Sequence, residues 1–111
     1  MENNYQQKIA RILIDIESVR FSFEEPFTLT SGLKSPVYVD CRKIISYVKE
    51  RSIILDCALN YFIEKKIKFD LLAGGETAGI PYAAFFAEIL KKPMIYIRKK
   101  PKGFGKNQQI E

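Results

Sequence analysis

The sequence predicts an α/β domain that starts with a helix and contains one β-strand–α-helix–β-strand unit. Two short apolar runs, 69–73 and 93–97, are typical of buried parallel strands. The stretch 80–92 between them has a helical composition, and Pro81 lies near its first turn, where a missing N–H is tolerated. Because a helix crossover joins parallel strands and does so right-handed, these segments predict the first strands of a parallel sheet.

The N-terminal part of the sequence predicts two helices separated by short strands. Apolar residues spaced by three and four positions indicate a helix over 4–19. Within 21–40, FTLTS and PVYVD are rich in β-formers and are joined by Gly-Leu-Lys-Ser. They indicate a hairpin or two irregular strands, with Pro36 opening the second. A second helix is predicted over about 46–66.

The length of 111 residues fits a single domain, 1–111. We divide it into a helix and hairpin (1–45), a helix with the parallel unit (46–97) and a basic loop (98–111). Two parallel strands leave open edges and uncovered faces. The sequence therefore predicts an incomplete domain, which is either a fragment or a chain that completes itself by association.

The composition is that of an ordinary globular protein, with 47% hydrophobic and 28% charged residues. No apolar stretch approaches the roughly 20 residues of a membrane-spanning helix. The N-terminal sequence MENNYQQKIARILIDIE lacks the apolar core of a secretory signal. We therefore expect a soluble, cytoplasmic protein.

The sequence contains no histidine, which excludes histidine-based triads, general bases and metal ligands. Cys41 and Cys57 are too few for a zinc site, and a disulfide is uncommon in a cytosolic chain. Both cysteines are therefore predicted to be small buried hydrophobic residues. No metal-binding residue is predicted.

The net charge of +5 is concentrated at one end of the chain. Residues 1–90 carry 11 Lys or Arg against 12 Asp or Glu, whereas residues 91–111 carry 7 against a single Glu. The chain is thus a nearly neutral body with a basic C-terminal segment, which suits an anionic partner.

Two segments that follow the predicted strands could bind an anion. Segment 74–79, GGETAG, lies between a strand and a helix, where glycine backbone N–H groups and the helix N-terminus favour negative charge. It could equally be a plain tight turn. Segment 98–106, RKKPKGFGK, follows the next strand and should lie at the same sheet edge. It is either a solvated basic loop or a lid for a polyanion.

A third segment, 31–40, combines a cation, a hydroxyl, an aromatic ring and an acid in SGLKSPVYVD. One interpretation is ordinary hairpin chemistry with Lys34 exposed. The other is a hood that contacts a planar or acidic ligand.

Together these segments resemble orotate phosphoribosyltransferase, a family of type I phosphoribosyltransferases. FTLTSGLKSPVYVDCR is similar to the family's N-terminal hood, and FDLLAGGETAGIPYAA is similar to its first core strand and turn. IYIRKKPKGFGKNQQIE is similar to its flexible catalytic loop. The three motifs occur in the family's order and spacing over nearly the whole chain.

The resemblance implies a type I phosphoribosyltransferase fold and a homodimer. It implies transfer of phosphoribose from PRPP to N1 of orotate in pyrimidine biosynthesis, giving orotidine 5′-phosphate and pyrophosphate. Magnesium would accompany PRPP. The family's transition state resembles an oxocarbenium ion, so that the protein chiefly positions the reactants and stabilises departing negative charge.

The resemblance also implies roles for individual residues. Contacts on the orotate side fall on Lys34, Ser35, Tyr38, Val39, Thr77 and Ala78. Contacts to the diphosphate fall on Arg98, Lys99 and Lys102, of which Lys102 corresponds to the catalytic lysine. Part of this basic set reaches across the dimer into the neighbouring site.

The sequence departs from the family pattern at several positions. Many members carry lysine in place of Thr30 and some in place of Ala78, and many carry histidine in place of Phe104, which cannot donate a hydrogen bond to phosphate. The PRPP motif, two adjacent acids after a strand followed by a Thr/Gly-rich turn, has no counterpart in these residues. We therefore expect the chain alone to be inactive.

Three hypotheses follow. The chain could supply the hood, parallel unit and basic loop of an enzyme whose PRPP motif lies elsewhere, including on a complementing C-terminal chain. It could be a non-enzymatic remnant that self-associates. It could be a small module that binds an anion or RNA through 98–106, although Phe104 is the only aromatic residue there.

Overall fold

The computed structural model describes residues 4–101, 103 and 108–111, which form two compact units. The first unit ends at Leu59 and the second begins at Asn60. The helix α2, Val48–Glu64, contributes residues to both.

The first unit consists of short antiparallel strands that follow a helix. Its elements are α1 (Tyr5–Asp15), β1 (Val19–Phe21), β2 (Phe27–Thr28), β3 (Lys34–Ser35), β4 (Val37–Val39), a 3₁₀ helix (Cys41–Ser46) and the first part of α2. β1 pairs with β4, and β2 pairs with β3. Gly32, at a φ of +88°, makes the turn between β2 and β3, and its N–H donates to the Leu29 carbonyl at 2.9 Å.

A fully buried polar residue fastens the β1–β4 pair. The Ser18 hydroxyl donates to the Asp40 carbonyl at 2.6 Å, and the Asp40 N–H donates to the Ser18 carbonyl at 2.7 Å. The Asp40 carboxylate then caps the 3₁₀ helix by accepting the Arg42 N–H. The start of β1 and the end of β4 are thus joined through side-chain as well as backbone bonds.

The second unit is a parallel β-α-β arrangement. After the end of α2 come β5 (Leu72–Gly75), α3 (Gly79–Leu90) and β6 (Met94–Ile97). β5 and β6 pair in parallel, with Leu72 opposite Met94 and Gly75 opposite Ile97. Phe62 packs against the rings of Phe69 and Phe86 at centroid distances of 5.6 and 5.7 Å. The parallel unit predicted from the sequence is confirmed.

Gly74 sets the distance between β5 and the start of α3. A Cβ atom on Gly74 would lie 2.6 Å from the Gly79 carbonyl oxygen and 2.9 Å from the Ile80 Cα. Since both are backbone atoms, no side-chain rotation could relieve that clash. A Cβ on the neighbouring Gly75 would meet nothing within 4 Å.

The end of the chain returns to β6 on the side away from β5. Ile110 forms a bridge with Ile97 in antiparallel orientation, and Glu111 exchanges backbone hydrogen bonds with Tyr96. The Arg98 N–H donates to the Gln109 carbonyl at 2.7 Å. β6 therefore has a parallel neighbour on one side and an antiparallel neighbour on the other.

Several sequence predictions need correction. Gly74 and Gly75 belong to strand β5 and not to a turn, because they pair with Tyr96 and Ile97 of β6. PVYVD pairs with β1, which the sequence did not indicate, and FTLTS pairs with Lys34–Ser35. Cys41 is exposed, whereas Cys57 is buried as predicted.

Among the described residues, no helix combines the length and apolar character needed to cross a membrane. Whether 1–111 is a single domain with the three subdivisions given above stays a prediction.

Candidate functional site

The carboxyl ends of β5 and β6 lie side by side and lead into the two segments that the sequence singled out. The last residue pair of the strands is Gly75 and Ile97, and the Glu76 N–H continues the ladder by donating to the Ile97 carbonyl at 2.8 Å. Arg98 and Lys99 follow β6 directly. The second unit thus brings 76–78 and 98–99 to one edge of the sheet, as predicted.

Thr77 and Ala78 form the turn at this edge, and both are exposed. Ala78 is the N-cap residue of α3, a helix of 12 residues, and makes no side-chain cap hydrogen bond. The peptide bond between Glu76 and Thr77 is cis. The partial positive charge of the helix N-terminus therefore lies next to exposed turn residues, an arrangement that favours an anion.

Arg98 and Lys99 provide fixed positive charge at the same edge. The Arg98 guanidinium lies with its Nη1 3.7 Å from Oε2 of Glu111, and its Nε is buried without a hydrogen-bond partner among the described residues. Lys99 is exposed, and its backbone N–H donates to Oε1 of Glu76 at 2.9 Å. Lys102 and Phe104 lie outside the described residues.

The predicted orotate-side residues of the hood lie together in the first unit. Lys34 is exposed on β3, and Val39 is exposed at the end of β4. The half-buried Tyr38 packs against Phe27, with ring centroids 5.6 Å apart. The Ser35 hydroxyl donates to the Val37 carbonyl at 2.7 Å and accepts the Val37 N–H, which shapes the chain around Pro36.

The structure adds polar partners around this hood that the sequence analysis did not identify. Arg20 is the cross-strand partner of Tyr38, and its guanidinium lies 5.4 Å from the Phe27 ring centroid. The antiparallel pairing of β1 with β4 brings Arg20 beside Tyr38. The sequence offered no signal for it, because a three-residue strand shows no periodicity.

Asp40 and Arg42 form an ion pair after β4, with Nε to Oδ1 at 2.9 Å. The Arg42 side chain hydrogen-bonds to Asp40 and lowers the pKa of its carboxyl below the usual value, while Asp40 raises the pKa of Arg42. Their spacing of two residues in the sequence is a signal that could have indicated the pair. The same carboxylate accepts the Arg42 N–H and so caps the 3₁₀ helix that follows the hood.

The described residues include no group of three or more Asp, Glu or Cys side chains that could hold a metal ion. The two units thus hold separate candidate regions: an anion-binding edge in the second unit, and a hood with aromatic and basic groups in the first.

Comparison with curated proteins gives strong similarity over almost the whole chain. Proteins named orotate phosphoribosyltransferase from Rhizobium rhizogenes (strain K84) and from Cereibacter sphaeroides (strain ATCC 17029) are 53% and 56% identical over 105 and 104 residues. These alignments cover 93% and 92% of this chain but 45% of each relative. The chain thus spans less than half the length of the curated relatives it matches.

Solved structures give the same result. The crystal structure of orotate phosphoribosyltransferase from Aeropyrum pernix aligns with a TM-score of 0.74 at 32% identity, covering 93% of this chain and 56% of that one. The structure of Leishmania donovani UMP synthase aligns with a TM-score of 0.64 at 33% identity, covering 94% of this chain and 21% of that one. No protein-family model matches the chain.

Proposed function

Because this chain is homologous to the N-terminal half of the orotate phosphoribosyltransferases, we propose that it supplies the orotate side and the diphosphate side of that reaction. The observation that carries the proposal is the identity of more than half the aligned residues across segments that hold the hood and the anion-binding edge. The remaining elements, above all a cradle for the 5′-phosphate of PRPP, would come from polypeptide outside these residues.

The proposed reaction is a substitution at C1 of the ribose of PRPP. A bond forms between that carbon and N1 of orotate, whose proton passes to solvent, while the bond from carbon to the diphosphate oxygen breaks. The electron pair of the broken bond leaves with the diphosphate. The protein therefore has to hold the two reactants in line and to stabilise negative charge as it develops on the diphosphate.

Arg98 and Lys99 are proposed to stabilise the leaving diphosphate. They lie at the same sheet edge as the N-terminus of α3, so that two side-chain cations and a helix dipole would act on one anion. Lys102, three residues beyond Lys99, is proposed to act as the catalytic lysine by adding a further cation at the bond that breaks.

The orotate side of the proposal rests on the hood and on the exposed turn before α3. Lys34 is exposed and could pair with the carboxylate of orotate, while the Tyr38 ring offers an aromatic surface for a planar base. Ser35 and Val39 flank them on the same two strands. Thr77 and Ala78 are proposed to contact both substrates from the second unit.

Magnesium enters the proposal only as the companion of PRPP. Since the described residues form no cluster of metal ligands, the cation would be held mainly by the oxygens of the diphosphate itself.

A homodimer also belongs to the proposal, because large apolar side chains remain exposed in both units. Phe23 and Leu33 are 75% and 69% exposed in the first unit, and Ile63 is 74% exposed in the second. Sedimentation at micromolar concentration would test this, and a stable monomer would contradict it.

The activity is tested by complementation. The pure 111-residue chain, with orotate, PRPP and magnesium, should form no orotidine 5′-phosphate at a normal rate. Adding a polypeptide that contains the part of the Rhizobium rhizogenes relative beyond the 45% matched here should produce turnover. In the same mixture, Arg98→Ala should lower the rate at least about tenfold, because it removes a charge-assisted contact to the leaving group.

Lys68→Ala is the matched control, since it removes an equal charge from an exposed position before β5. It should leave the rate unchanged. Normal turnover by the chain alone would contradict the proposal that the cradle for the 5′-phosphate lies outside these residues. An inactive mixture, together with no binding of inorganic diphosphate to the chain, would overturn the proposed function.

A further inference from the structure

Two carboxylates flank the Arg98–Lys99 pair, although that pair is proposed to bind an anion. Glu76 reaches it from the turn after β5, and Glu111 reaches it from the segment that returns to β6. A carboxylate beside a diphosphate site costs affinity through repulsion, unless its negative charge is compensated by other contacts. The contacts of each carboxylate therefore show what it can do there.

Glu76 connects the two segments at the sheet edge. Its backbone N–H donates to the Ile97 carbonyl at 2.8 Å, and its Oε1 accepts the backbone N–H of Lys99 at 2.9 Å. Glu76 therefore hydrogen-bonds both to the last residue of β6 and to Lys99, two residues beyond it. The second bond joins the turn 76–78 to Lys99 and so orients the start of the basic segment.

Glu111 acts from the opposite side of β6. Its Oε2 accepts the Tyr96 hydroxyl at 2.6 Å and lies 3.7 Å from Nη1 of Arg98. Its backbone pairs with Tyr96, so that the position of the carboxylate is set by the strand ladder. A guanidinium has five N–H donors, and the 3.7 Å contact with Glu111 engages only part of them, which leaves donors for a second anion.

We propose that Glu76 and Glu111 are positioning residues that hold Lys99 and Arg98 in the geometry that binds diphosphate. This inference rests on the proposed function, since it takes Arg98 and Lys99 as diphosphate ligands. Both carboxylates act through hydrogen bonds and charge on these neighbours, and neither transfers a proton in the reaction. The benefit is preorganisation, because a segment that is already ordered loses less conformational entropy when its ligand binds.

The role of Glu76 is tested by comparing Glu76→Gln with Glu76→Ala. Both variants remove the negative charge, but only glutamine keeps an oxygen that can accept the Lys99 N–H. The Lys99 amide should exchange with solvent slowly in the unsubstituted chain and in Glu76→Gln, and several-fold faster in Glu76→Ala. Equal exchange in the two variants would overturn the proposed hydrogen bond as the element that orders Lys99.

The same pair of variants tests the link to diphosphate. Inorganic diphosphate should bind Glu76→Ala about three- to tenfold more weakly than Glu76→Gln, the effect of losing one hydrogen bond. Because both variants have lost the same charge, a difference between them reports positioning and not electrostatics. Equal affinities would overturn the inference, whereas no binding even to the unsubstituted chain would overturn the proposed function instead.

The role of Glu111 is tested at the side chain of Arg98. The Arg98 Nε is buried, so that its N–H proton should be visible by NMR. Glu111→Gln keeps an acceptor for the Tyr96 hydroxyl but removes the charge beside the guanidinium, and the Arg98 Nε–H signal should shift. The backbone N–H of Arg42, which donates to Asp40 in the first unit, is the internal control, and its signal should not move. An unmoved Arg98 signal would overturn the role of Glu111.

Discussion

The two units of this chain hold their candidate site residues by different means. In the first unit, strands of two and three residues pair antiparallel, and a buried hydroxyl at Ser18 joins the ends of β1 and β4. In the second, a strand and a helix approach so closely that Gly74 has no space for a Cβ atom. The hood therefore depends on individual polar bonds, whereas the anion-binding edge depends on backbone packing. Each unit should be sensitive to a different kind of substitution.

The largest expected effect comes from adding one methyl group to the second unit. Gly74→Ala should destabilise that unit by about 1–3 kcal/mol, because the new Cβ would clash with the backbone of Gly79 and Ile80. Gly75→Ala is the matched control, since its Cβ would meet nothing within 4 Å. It should change the free energy of unfolding by no more than about 0.5 kcal/mol.

The rate of amide hydrogen exchange in β5 would measure the change in stability of the second unit in both variants. If Gly75→Ala proved as damaging as Gly74→Ala, close packing would not be what holds the second unit.

A smaller effect is expected from removing one hydroxyl in the first unit. Ser18→Ala should cost about 0.5–1.5 kcal/mol, since it removes a buried hydrogen bond to the Asp40 carbonyl. Ser22→Ala removes a similar bond, to the Glu25 carbonyl at 2.7 Å, at an exposed position where water can replace it. It should have the smaller effect on denaturant unfolding. Equal effects would mean that burial of Ser18 does not strengthen the β1–β4 pair.

The smallest effect concerns the exposed Asp40–Arg42 pair. Arg42 lowers the pKa of Asp40, so that this pair stabilises the folded chain at neutral pH and the contribution is lost as the pH falls through the folded pKa, below the usual value of 3.8. In an NMR titration of the Asp40 carboxyl, Arg42→Ala should raise its pKa more than Lys43→Ala does, since Lys43 acts on that carboxyl only through its charge and more weakly than Arg42. An equal rise of the Asp40 pKa in the two variants would mean that nearby positive charge in general, and not the hydrogen bond from Arg42, lowers it.

The same contrast between the units explains what the sequence could predict. The parallel unit was predictable because its strands are apolar runs and its helix begins with a proline in the first turn. The resemblance to a known family came from three motifs, and the comparisons confirm it.

The remaining features could not be predicted because they depend on contacts between residues far apart in the chain. β1 has three residues, and only its pairing with β4, 18 positions later, makes it a strand. The two adjacent glycines suggested a turn at Gly74. The need for glycine there comes from the close approach of α3, which cannot be seen in the sequence. The return of Glu111 to Tyr96 likewise shows no local pattern.

The pairing of Arg98 with Gln109 makes an uncharged residue part of the anion-binding edge. The Arg98 N–H donates to the Gln109 carbonyl at 2.7 Å, and the Gln109 Nε2 donates to the Arg98 carbonyl at 3.2 Å. Both peptide groups of Arg98 are thus bonded to one residue eleven positions later in the chain. The direction in which the guanidinium leaves the backbone therefore depends on Gln109, so that a substitution at that distant, neutral position would be felt at the cation itself.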